Sequence, residues 1–135
     1  MNRQEMFDKA WAGAESKNWV KSSKKTVIEL DFCYYRHPDD AMIRCNAGWL
    51  IPDELYDANF EGKRFTSEFF DNVMRHLEID SIFDSVFVQS LQSAHDNSSG
   101  GEDHRNKMLD LAHEYALIVP SSNYDQLETK DTENE

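Results

Sequence analysis

One run of residues constrains the fold more than any other. From Thr26 to Tyr35 the hydrophobic period is two, with Ile28, Leu30, Phe32 and Tyr34 alternating with Glu29, Asp31, Cys33 and Tyr35. The run is rich in β-branched and aromatic side chains, the types that fit a pleated, half-buried surface, so it reads as a strand. His37, Pro38, Asp39 and Asp40 follow with turn chemistry, because proline fixes φ and aspartate bonds its own backbone. A second strand over Ala41 to Cys45 is predicted to complete an antiparallel β-hairpin, with a third near Leu117 to Val119 able to extend it. The expected class is α+β, a small antiparallel hairpin or short sheet packed with about four α-helices.

The helices are read from spacing and caps. Asn2 and Glu5 form a capping-box pair ahead of Met6, Phe7, Ala10, Trp11 and Ala14, which predicts an amphipathic helix over residues 3 to 17. Lys21 to Lys25 reads as an exposed basic linker. The apolar, aperiodic stretch Asn46 to Ile51 predicts a buried crossing, and Pro52-Asp53-Glu54 a single helical turn, since proline and early acids suit a helix start. Asn59 to Lys63 reads as a loop. Thr66 or Ser67 is expected to cap a helix facing inward through Phe69, Phe70, Val73, Met74 and Leu77. Asp80 or Asp84 should cap another, with Val88, Leu91 and His95 on one face. After a break at Ser98 to Gly101, a last helix to about Ala116 turns Met108, Leu111, Ala112 and Tyr115 inward. One domain over residues 1–120 is expected, followed by an acidic, disordered tail over 121–135.

Charge is the strongest global signal. The 26 acidic and 14 basic residues give a net charge of −12. Residues 1–36 hold seven basic and five acidic side chains, which leaves seven basic and 21 acidic beyond them, a surplus of −14. Such a field repels phosphate backbones and anionic membranes and favours cationic partners. Direct nucleic-acid binding and membrane binding are therefore not expected. No apolar run approaches the ~20 residues needed to span a bilayer, and the amino end lacks a secretion signal, so a cytoplasmic location is expected. Cys33 and Cys45 read as free thiols there.

Three chemical constellations can be weighed from the residues. Cys45 with His95 could form a thiol nucleophile and base, but Asp96, adjacent to His95, would point about 100° away on a helix and orient it poorly. The plainer reading is a small buried thiol, a turn-forming Gly48 and a structural histidine. His104 and His113 lack ligand spacing even with Asp103, Asp110 and Glu114 nearby, so no metal is expected. Ser99-Gly100-Gly101 lacks a phosphate-loop frame. No cofactor is expected.

The stretch Cys45-Asn46-Ala47-Gly48-Trp49-Leu50-Ile51-Pro52-Asp53 and the later Leu91-Gln92-Ser93-Ala94-His95-Asp96 resemble a set of small uncharacterised phage and prophage proteins. The likeness covers roughly residues 2 to 119. It departs at Asn46 and Trp49, where the relatives carry a smaller or apolar residue and often a cysteine. The resemblance implies a phage or prophage setting. The expected function is a non-enzymatic accessory protein that binds a host or phage protein with a basic surface, for instance blocking a nucleic-acid-handling or defence complex as an anti-CRISPR protein does. The expected contacts are Trp11, Trp19 and Trp49 as aromatic anchors, with Asp53, Glu54, Asp57 and Glu61. The alternative is a small thiol-dependent enzyme using Cys45 and His95.

Overall fold

In a computed structural model, which describes residues 1–25, 27–28, 31–79 and 81–120, the chain opens with α1, Arg3–Ser16. The Asn2 side chain accepts from the Glu5 N–H at 2.8 Å, and Glu5 returns the bond to the Asn2 N–H at 3.0 Å. Both ends of the predicted capping box are thus in place, satisfying two of the amide groups that a helix start leaves open. The apolar stripe of α1 buries Met6, Phe7, Ala10, Trp11 and Ala14 completely or nearly so. Each of the larger side chains contributes about 1.5–3 kcal/mol by leaving water.

A two-stranded antiparallel sheet follows, made of β1, Ser23–Lys25, and β2, Asp31–Cys33, with Ser23 opposite Cys33 and Lys25 opposite Asp31. The α+β class holds, but the hairpin lies elsewhere than the sequence suggested. The partner of the predicted strand is the stretch read as an exposed linker, and Ala41 to Cys45 forms no strand. Asp40 is the cause: its carboxylate accepts from Met42 N–H and its carbonyl from Ile43 N–H, both at 2.9 Å, so the chain coils on itself. Val27 and Ile28 at the hairpin tip are exposed rather than alternating into a core. Among the described residues no strand forms near Leu117 to Val119; Ile118 instead exchanges two bonds with the Gln4 side chain. Thr26, Glu29, Leu30, Asp80 and the tail 121–135 lie outside the described residues.

Single 3-10 turns occupy Gly48–Leu50, Asp53–Leu55, Ala58–Phe60 and Glu68–Phe70. The first is the predicted buried crossing and packs on α1, where a Cβ on Gly13 would lie 2.1 Å from the Trp49 ring. The helix α2 spans Asp71–His76 and buries Val73, next to the buried Phe70 and Leu77, whereas Phe69, expected inside, is exposed. The helix α3, Ile82–Asp96, is capped by Ser81, whose hydroxyl accepts from Asp84 N–H at 3.2 Å. It packs along α4, Gly101–Glu114, burying Val88, Leu91, Met108, Leu111 and Ala112. Gly100 and Gly101 enter α4 at positive φ, which a residue with a Cβ would resist. Among the described residues no helix is long and apolar enough to cross a membrane.

Candidate functional site

The Cys45–Asp53 and Leu91–Asp96 stretches meet at the carboxyl end of α3. Asn46 Nδ2 donates to Leu91 O at 2.8 Å, and Ala47 N–H donates to Gln92 Oε1 at 3.1 Å. Gly48 is needed because a Cβ there would stand 2.2 Å from the Tyr35 carbonyl oxygen. Leu50 and Ile51 are buried, and Pro52 holds the extended conformation that starts the next turn. Asp53 then receives Arg36 Nη2 at 2.7 Å and Arg44 Nη2 at 3.5 Å. In structural terms, Leu-Ile-Pro-Asp is a buried anchor, a turn and an ion-pair clasp.

Beside this junction, Cys33 Sγ, a His95 ring nitrogen and an Asp96 carboxylate oxygen lie within 4.8 Å of one another. Cys33 and Asp96 border a cleft of about 200 Å³ between β2, the Gly62–Phe65 loop and α3, with His95 enclosed behind them. His95 Nδ1 is 2.8 Å from Asp96 Oδ1, which also accepts from Gln92 Nε2 at 2.9 Å. The expectation that Asp96 would orient His95 poorly is therefore corrected. Asp96 is the last residue of α3, and a short carboxylate there reaches the ring nitrogen nearest the backbone despite the 100° offset.

The remaining ring nitrogen decides the chemistry. Ser22 N–H donates to His95 Nε2 at 2.9 Å, so Nε2 is an acceptor and the proton sits on Nδ1, facing Asp96. Neither nitrogen offers a lone pair. A metal at Nδ1 would drive the proton to Nε2, where it would confront the Ser22 N–H, so the trio fits a hydrogen-bonded strut better than a metal centre. Nor does His95 serve Cys45 as a base, because its partners are Ser22 and Asp96. Cys45 has no exposed surface, accepts from Gly48 N–H at 3.3 Å, and has its thiol pKa pushed well up by burial and by the Asp96 charge. A reactive thiol needs the opposite environment.

A second buried histidine completes the junction. His104 places Nδ1 3.1 Å from Trp19 O and Nε2 2.9 Å from Asn46 Oδ1. Sequence reasoning gave His104 only a rejected metal role. Its packing signal, a helical spacing of four to Met108, was there to be read.

The residues expected at a partner surface are divided. Trp11 is 1% and Trp19 8% exposed, so both are core residues and neither can anchor a partner in this fold. Trp49 is half-buried under the Arg44 guanidinium, 4.9 Å from its ring. Glu61 is structural: its carboxylate accepts from Tyr35 N–H, Arg36 N–H and Tyr56 Oη at 2.8, 3.1 and 2.6 Å. Asp53 is spent on the two arginines. Only Glu54 and Asp57 of that set are exposed without an ion-pair partner among the described residues. No known protein family, curated protein or solved structure matches the chain.

Proposed function

We propose that the chain is a non-enzymatic accessory protein of phage or prophage type that acts in the host cytoplasm by binding a protein with a basic surface. One observation carries the reading. Past Arg36 the exposed charged side chains are nearly all acidic: Glu54, Asp57, Glu68, Asp71, Glu78, Glu102, Asp110 and Glu114 stand out in solvent, against Arg64 and Arg75. A one-signed surface of this kind raises the encounter rate with a cationic partner and keeps phosphate backbones away. The two groups best suited to thiol chemistry, Cys45 and His95, are meanwhile enclosed and already bonded. Inhibition of a host nucleic-acid-handling or defence complex fits this surface, because such complexes carry basic grooves that carboxylates can occupy.

The test is capture from host lysate with the full chain as bait, in about 50 mM and about 500 mM NaCl, where screening lengths differ several-fold. A basic protein retained at low salt, released at high salt and retained equally by Cys45→Ser is the expected result. Loss of capture in Cys45→Ser, with the variant folded, would move the chain to the thiol-enzyme class. Failure to retain any basic protein at low salt would remove the reading altogether.

A further inference from the structure

Away from the histidine junction, α3 carries a second face that the fold leaves open. Ile82, Val86, Gln89, Ser93 and Asn97 recur at spacings of four and three, so they share one side of the helix. They floor a groove of about 1220 Å³ whose other walls come from α2, α4 and the segment around Ile79. Ile82 is 73% and Val86 51% exposed, and the neighbouring Phe83 is also largely in solvent. Met74, Ile79 and Leu111 add apolar surface deeper in. The floor is thus apolar at its Ile82–Val86 end and polar from Gln89 to Asn97, the mixture of an apolar centre and polar rim that protein interfaces carry.

Taking the partner-binding reading above as its basis, we infer that this groove receives an amphipathic helix of the partner, apolar along one side and flanked by lysine or arginine. Size and charge both point there. A helix about 10 Å across fills 1220 Å³ over a length of about 16 Å, roughly three turns. The rim holds Asp71, Asp110 and Glu114, while of its two cations Lys107 is already 3.7 Å from Asp103, leaving Arg64. A helix laid in the groove thus meets carboxylates on both flanks, from α2 and from α4. The same rim argues against a second copy of the chain, because pairing groove to groove would bring these carboxylates together in two molecules of net charge −12.

Two synthetic helical peptides test this against the full chain by fluorescence anisotropy. Both carry leucine at i, i+3, i+4 and i+7, one with lysine flanks and one with glutamate flanks. The lysine peptide should bind at least about tenfold more tightly than the glutamate peptide. Val86→Asp and Ile82→Asp, both at exposed positions, should each weaken it by about tenfold or more without changing the circular dichroism. Equal binding of both peptides, or binding indifferent to both substitutions, would overturn the inference. So would a dimer in sedimentation that Val86→Asp converts to monomer, since the groove would then hold a second copy. Lysate capture separates this inference from its basis. If Val86→Asp still retains the basic protein, the groove assignment fails and partner binding stands; if the unmodified chain retains nothing at low salt, partner binding itself fails.

Discussion

His104 sits between two acceptors, the Trp19 carbonyl and Asn46 Oδ1, and Asn46 cannot turn over because its Nδ2 is donating to Leu91 O. A neutral ring can serve only one of them. An imidazolium would serve both, but burial, followed by the neighbouring His95, pushes the pKa down to about 4 from 6.5, and burial is the larger effect. The unfolded chain therefore takes up this proton first as the pH falls. Stability from this residue is complete above pH 6.5 and is lost progressively as the pH drops towards 4. The full loss amounts to about 3 kcal/mol. Urea midpoints should fall between pH 7 and 5, and His104→Gln should flatten that slope; an unchanged slope would assign the acid sensitivity elsewhere. The cysteines give a second check at this scale. Cys33 is half-exposed and Cys45 enclosed, so a thiol reagent should label Cys33 in the native protein and Cys45 only after unfolding. Labelling of Cys45 at the same rate would mean that the junction opens.

The helices were legible in the sequence because each carries its own periodicity and cap, as with Asn2 and Glu5 on α1 and Met108, Leu111 and Ala112 on α4. The strand pairing was not, because β1 is Ser23-Lys24-Lys25, a stretch with no apolar alternation to mark it as the partner of β2. The site was half legible. The two motifs could be quoted from the sequence, but their meeting depends on the Asn46 and Gln92 side chains reaching backbone groups 45 residues away. Gly13 and Gly48 show what holds the elements at that distance. Alanine at Gly13 would gain about 1 kcal/mol of helix propensity, yet its Cβ would fall 2.1 Å from the Trp49 ring. Overpacking costs about 1–3 kcal/mol, so Gly13→Ala should destabilise on balance. Gly48→Ala should cost more, since the obstruction is the Tyr35 backbone, which cannot rotate aside. Thermal denaturation of the two variants should rank Gly48→Ala below Gly13→Ala, and both below the parent.

The whole molecule carries a charge of −12 on 135 residues. Self-repulsion of that kind weakens the folded state and is relieved by added salt. Moving from about 10 mM to about 150 mM NaCl should raise Tm by about 4 °C, equivalent to about 1 kcal/mol; a Tm that falls with salt would mean that attractive pairs dominate the surface. The interior has a different consequence. Phe7, Trp11, Trp19, His104 and His95 run as a line of rings, each edge or tilted face within 5.8 Å of the next. A protonated imidazole quenches the emission of an adjacent indole. The chain thus contains its own optical gauge: as acid reaches His104, the tryptophan signal should dim, reporting the state of the core with no dye attached.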